Sequence, residues 1–343
     1  MNINFEEMSG REKELYEKMW SDYDFGTMDA EIVRTYSTRY QKESKNSYCF
    51  GGGIDKGQVL VKAFNIENAD LFLKKYEMAT SGSGDEQQKI TILRSSSLCA
   101  LLHFYNITDD YPLILEFVTN KRKRKVIFTE SMFEYKSPVL NNPSNMDIVL
   151  LGKEDDQDVI LFLESKFSEH YIYASSIRSG ISCQYLDENC PSASLYDDAV
   201  LKELGLKKEI ENKDEFKLET NNKEQMYIEG IKQMISHYTG LMNVINGKLY
   251  EGEKPEDHKK IDTAIKNKEV AVILGEIVFD GRIDDLEKKE YSKKYHMLAT
   301  HIAELTRGND MFEMIIDELG YSLFKDSEHR VEPKIREFYR YDA

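Results

Sequence analysis

The sequence predicts an α/β fold: a central mixed four-stranded sheet flanked by helices, with extensions at both ends. Three observations carry this. First, residues 145–152 and 158–166 are apolar, β-branched runs on either side of an acidic turn at 153–157, and they read as a hairpin. Second, both faces of these runs are apolar, as in the middle of a covered sheet. Third, from Ser95 onward the elements read helix, strand, strand, strand, helix, strand, an order that builds a mixed sheet.

The elements follow in order. Residues 11–22 are a charged helical candidate holding the only tryptophan, Trp20. Residues 48–53 (YCFGGG) lack the Lys-Ser/Thr end of a phosphate loop and read as a turn. Residues 58–64 (QVLVKAF) read as a strand, 66–79 as a helix, and 81–86 (SGSGDE) as a polar loop that bounds the first segment. Ser95 offers an N-cap to a helix through Leu98, Leu101, Leu102 and Tyr105, in which His103 reads as structural. Residues 111–119 read as a short helix, and 126–135 as a strand bearing Glu134 near its end. Pro138 and residues 141–144 (NNPS) lead into the hairpin.

Residues 170–191 show no clean period, His170 and Glu169 reading as surface loop, and the charged stretch 201–223 reads as exposed helix and loop. Residues 223–244 are the best helix. Met226, Gly230, Gln233 and His237 form one stripe of it; Tyr227, Ile231, Met234, Tyr238 and Leu241 form the apolar stripe beside it. Residues 253–260 read as a polar loop with Pro255, and 270–280 (VAVILGEIVFD) as a buried strand interrupted by Glu276. Residues 288–321 read as mostly helix, and the polar tail as partly helical. The chain divides into an N-terminal extension (1–90), a core (91–285) and a C-terminal helical extension (286–343).

Composition narrows the function. Of 343 residues, 41% are hydrophobic, enough for a sizeable core, yet no run approaches the roughly 18 apolar residues of a membrane span. The N-terminus has no secretory signal, so the cytoplasm is the expected location and no membrane contact is expected. Cys183 and Cys190 have six residues between them, which is not a CxxC zinc spacing. The net charge of −16 argues against broad attraction to a polyanion and leaves a local groove as the route to one. Residues 121–125 (KRKRK) are either a solvated turn or a phosphate-contacting loop.

The hairpin carries the chemistry. If its turn centres on Asp155-Asp156, paired residues have a constant number sum, and Asp147 lies opposite Glu164. Lys166, two residues along, shares their face. Two carboxylates on neighbouring strands can share a divalent cation, and Mg²⁺ needs only one or two of them because it keeps several waters. A lysine beside them can stabilise developing phosphate charge or take a proton from water. A plain Glu–Lys or Asp–Lys salt bridge at a sheet edge is the structural alternative.

The hairpin, the seventeen-residue step from Asp147 to Glu164-Ser165-Lys166, and the element order around them resemble the PD-(D/E)XK nuclease superfamily, the restriction-endonuclease-like fold, over residues 92–282. The resemblance makes residues 163–167 the third strand of that fold and Asp147 the acidic residue opening its second, with Met146 where proline is usual. Glu134 matches an extra metal-binding acid of some members. Gln233 matches the glutamine of a Q-x-x-x-Y pattern, with His237 in the tyrosine's place. It implies a Mg²⁺-dependent endonuclease, with Mn²⁺ able to stand in, acting on nucleic acid and foremost DNA. Asp147, Glu164 and Glu134 would hold the metal, Lys166 and Gln233 would act with them in catalysis, and His237 would support. A catalytically inert binding or assembly module of the same fold is the alternative. The oligomeric state stays open, a homodimer included.

Overall fold

A computed structural model describes residues 3–8, 10–37, 42–51, 55–81, 89–140, 143–167, 180–220, 226–281, 286–325 and 329–340. In chain order its elements are α1 (Gly10–Trp20), β1 (Glu31–Ser37), β2 (Lys42–Gly51), α2 (Lys56–Phe64), α3 (Ala69–Ala79), α4 (Ser96–Phe104), β3 (Leu113–Val118), β4 (Lys123–Pro138), β5 (Pro143–Glu154), β6 (Gln157–Lys166), β7 (Ile181–Ser182), α5 (Asp198–Glu203), β8 (Leu206–Ile210), β9 (Glu215–Thr220), α6 (Met226–Ile245), α7 (Glu256–Lys266), β10 (Val270–Val278), α8 (Leu286–Leu305), β11 (Phe312–Met314), β12 (Leu319–Gly320) and α9 (Pro333–Tyr339).

The hairpin forms in the expected register. Glu154 pairs with Gln157 and Ile148 with Leu163, and Asp155 takes a positive φ of 51° in the turn. The fold is mixed α/β, but the central sheet has seven strands rather than four. Its order is β11-β10-β6-β5-β4-β3, with β12 also on β10. Strands β3 to β6 are antiparallel, and β6, β11 and β12 all run parallel to β10. The three added strands are short: six residues in β3, three in β11 and two in β12.

Two cores cover the two faces. Leu60, Phe72, Leu101 and Phe338, from α2, α3, α4 and α9, pack with Ile148, Leu161 and Ile273 on one side. Met234, Ile261 and Leu298, from α6, α7 and α8, pack with Val149, Phe162 and Leu274 on the other. Inward and outward residues therefore alternate along β6 and β10, as the pleat requires.

Several elements differ from the sequence reading. Residues 58–64 lie in helix α2, not a strand; Asp55 caps it by accepting the Gln58 N–H at 3.1 Å. Residues 111–119 contain strand β3, not a helix: Leu113, Leu115 and Phe117 are buried, while Ile114, Glu116 and Val118 face out. Residues 201–223 hold β8 and β9 of a three-stranded sheet, order β7-β9-β8, with Phe216 and Leu218 buried. Pro255 caps α7, which begins inside the expected loop. Tyr48 to Gly51 end strand β2 instead of forming a turn. Helix α8 stops at Leu305, and β11 and β12 follow it. Residues 52–54, 82–88, 168–179 and 221–225 lie outside the described residues, and with them His170, Glu169 and most of the glycine-rich loop.

Each residue of the basic run 121–125 has a partner within the molecule; Arg124 is buried, while Arg122, Lys123 and Lys125 stay more than half exposed. Arg122 and Arg124 bind Glu154, and Arg124 also binds Glu313. Lys123 and Lys125 pair with Glu116, and Lys121 donates to the Asn309 carbonyl.

Candidate active site

The candidate site lies where the β5 start, the β6 end and helix α6 meet. Glu164 and Lys166 alternate with Leu163, Ser165 and Phe167, so the pleat turns both toward α6. Lys166 Nζ donates to Glu164 Oε1 at 2.6 Å and to Gln233 Oε1 at 2.7 Å. His237 Nε2 lies 2.8 Å from Glu164 Oε2, and its Nδ1 lies 2.6 Å from Ser144 Oγ. Gln233 and His237 sit one helical turn apart on α6, the stripe the sequence singled out. Glu164, Lys166 and His237 are all at most 4% exposed.

Asp147 is held from the backbone: the Ser165 N–H donates to its Oδ2 at 2.8 Å. Ser165 itself faces away, its hydroxyl donating to the Ser96 carbonyl and lying 2.8 Å from the Tyr321 hydroxyl. The variable residue of Glu-x-Lys thus ties the site to α4 and to the C-terminal segment. Glu134 lies between the pairs Phe133↔Ile148 and Tyr135↔Met146, beside Asp147 on the neighbouring strand. Its φ is 55°, a strained value for glutamate. The alternation breaks there. Met132 and Tyr135 both belong to the core under α6, while Phe133 belongs to the opposite one. Strand β4 switches faces at Glu134, and β5 does so at Asp147, since Met146 and Val149 share the α6 side while Ile148 does not.

The electrostatics separate the two central carboxylates. Burial opposes ionisation of Glu164, but Lys166 and His237 outweigh it and hold its carboxyl down at about 2. Glu164 is therefore an ionised acceptor, so His237 Nε2 donates to it. Asp147 is pushed well above the usual carboxylate range, by burial first and then by the negative charges of Glu164 and Glu134. A further acid stands on the other flank. Glu276 on β10 lies opposite Glu164, is fully buried, and accepts a 2.8 Å hydrogen bond from the Tyr291 hydroxyl. Burial raises its carboxyl to about 8, and the charges of Glu164 and Glu318 add to this.

Four carboxyl groups on adjacent strands β4, β5, β6 and β10 therefore form a row, and the Lys166 ammonium is bonded to the one on β6. Among the described residues, no group of three or more His, Cys, Asp or Glu is arranged to enclose a metal. Mg²⁺ does not need such a cage, and a crowded set of hard oxygen donors in which two carboxyls, Asp147 and Glu276, are forced toward their neutral forms suits a divalent cation.

All six side chains chosen from the sequence lie here: Asp147, Glu164, Lys166, Gln233, His237 and Glu134. Sequence reasoning missed Ser144, Tyr291 and the backbone of Ser165. Glu276 was visible as a charge inside an apolar run.

Over residues 52–244, more than half of its length, the chain matches the family described as Restriction Endonuclease associating with ARP. The chain belongs to this family. The match includes all six of these residues and ends before Glu276 and Tyr291. The restriction-endonuclease likeness read from the hairpin holds, and membership suggests nuclease-like function and nucleic-acid binding. No curated protein and no solved structure matches the chain. No described helix is long and apolar enough to cross a membrane.

Proposed function

We propose that this restriction-endonuclease family member is a Mg²⁺-dependent nuclease that hydrolyses phosphodiester bonds of nucleic acid, foremost DNA. The observation that carries the reading is the meeting of a half-buried Asp147 with the buried Glu164 and Lys166 on one patch beneath Gln233 and His237. Asp147 and Glu164 would hold the cation, with Glu134 lending negative charge from the adjacent strand. When bound, the cation supplies a Lewis acid that neutralises phosphate charge and makes water a better nucleophile. Lys166 stabilises the developing negative charge on the phosphate or takes a proton from the attacking water. Gln233 fixes the ammonium, and His237 fixes the second oxygen of Glu164.

The family's description also names an association with ARP. We extend that association to this chain. Its net charge of −16 argues against broad attraction to a polyanion by this chain alone. The same charge favours the second reading, a catalytically inert binding or assembly module.

The test is plasmid DNA and RNA cleavage with Mg²⁺ or Mn²⁺, with a chelator control. Asp147→Asn and Lys166→Ala should each abolish metal-dependent cleavage while circular dichroism stays native. Cleavage that survives both substitutions would overturn the reading. Calorimetric Mn²⁺ titration separates the inert module, which would show no saturable binding that depends on Glu164.

A further inference from the structure

Every residue of β10 is buried, and Glu276 is its only charged member. A carboxyl group in such a strand costs several kcal/mol unless it is paired and hydrogen-bonded. An apolar residue would pack there without that cost, so the glutamate needs a reason. Its Oε2 accepts from Tyr291, while its Oε1 is buried with no hydrogen-bond partner. The surroundings are shaped to keep it. Gly230 on α6 lies against the Tyr291 ring, and a Cβ there would fall 2.5 Å from the tyrosine hydroxyl. Three elements, β10, α6 and α8, thus hold one carboxyl group beside Glu164, its register partner.

We infer that Glu276 is a positioning residue of the site, whose open oxygen receives the Lys166 ammonium when Glu164 turns to a divalent cation. This rests on the reading of Asp147 and Glu164 as the cation-holding pair. In the described geometry Lys166 is bonded to Glu164 Oε1. A cation on that carboxylate repels the ammonium, which then needs another acceptor within the reach of its own side chain. Gln233 already accepts from it. Glu276 adds a carboxyl acceptor on the neighbouring strand without any backbone movement, and an ammonium arriving beside it favours its ionised form. Glu276 is the register partner of Glu164 on the paired parallel strand, and Lys166 lies two residues further along β6 on the same face, which puts the two on one patch.

The experiment is Mn²⁺ calorimetry together with steady-state cleavage of DNA by full-length wild type, Glu276→Gln and Tyr291→Phe. Glu276→Gln keeps the shape and the tyrosine bond but removes the group that can ionise when the ammonium arrives. It should weaken Mn²⁺ binding about tenfold, as loss of an outer-shell partner does. It should also lower kcat with KM for DNA unchanged, and Glu276→Asp should restore part of the loss. Tyr291→Phe should move both quantities the same way by less. Wild-type Mn²⁺ affinity and kcat in Glu276→Gln would overturn the inference while leaving the nuclease reading intact. Should Glu276→Gln fail to fold, Tyr291→Phe decides by the same two quantities. Absence of both Mn²⁺ binding and cleavage in the wild type would overturn the nuclease reading first, and the role of Glu276 with it.

Discussion

Two buried charge clusters sit at opposite ends of the central strands, built from the same residue types. At the end near the β5–β6 turn, Arg124 is 2% exposed. Its guanidinium grips both oxygens of Glu313, at 2.8 and 2.5 Å, and reaches Glu154 at 2.6 Å. Thr119 donates to Glu313 as well. Two carboxylates face two arginines, and the partners answer burial: Glu313 stays below its ordinary range because Arg124 and Thr119 outweigh desolvation. At the other end, Glu134, Asp147, Glu164 and Glu276 stand on four adjacent strands, and Lys166 pairs with Glu164. Asp147 and Glu276 are forced upward, and one Glu276 oxygen has no partner. Burial is common to both clusters, so it marks neither as functional. What differs is how the acids answer burial: Glu313 is held down by its partners, while Asp147 and Glu276 are pushed up.

The comparison can be broken by substitution, and the largest effect is expected at the site. Asp147→Asn should lower metal-dependent cleavage by at least about 10²–10³-fold. It should leave the melting temperature level or higher, because it removes a carboxyl that its neighbours repel. Arg124→Ala should do the reverse. It strands Glu313 and should cost about 3–5 kcal/mol in denaturant unfolding, with cleavage per folded molecule unchanged. Equal losses of stability from both changes would dissolve the distinction.

Gly230→Ala is intermediate. Its Cβ collides with the Tyr291 hydroxyl, so about 1–3 kcal/mol of overpacking should appear in urea melts, together with a reduced kcat. The smallest change is a control on the criterion itself. Glu332, in the C-terminal segment beside Tyr105, is also raised, to about 7, by burial and then by Glu67. Its folded value lies above its ordinary 4.5, so the stability it lends is full below pH 4.5 and lost as pH rises through 7. The loss should be roughly 3 kcal/mol at most, and Glu332→Gln should flatten it without touching cleavage. A raised acid outside the candidate site thus shows that elevation alone is no mark of function.

Much of the site was legible because it is local. The hairpin register follows from one turn, so counting outward from Asp155-Asp156 put Asp147 opposite Glu164. The α6 stripe follows from helical periodicity, which is why Gln233 and His237 arrive together at Glu164 and Lys166. The short and ambiguous segments were less legible. Residues 58–64 hold an apolar run that suits a strand or a helix, and the Asp55 cap decides for helix. Residues 111–119 carry a period-two pattern in only six strand residues.

What the sequence determined by itself was the α/β class, the hairpin register and the stripe of α6 that carries Gln233 and His237, because backbone geometry writes its period into neighbouring positions. Tertiary structure alone decided three things: the seven-stranded sheet, the face switch at Glu134, and the pairing of Glu276 with Glu164. Glu276 and Glu164 come from parallel strands far apart in the chain. Their register is set by how α6, α7 and α8 pack on the sheet, and no local pattern encodes it.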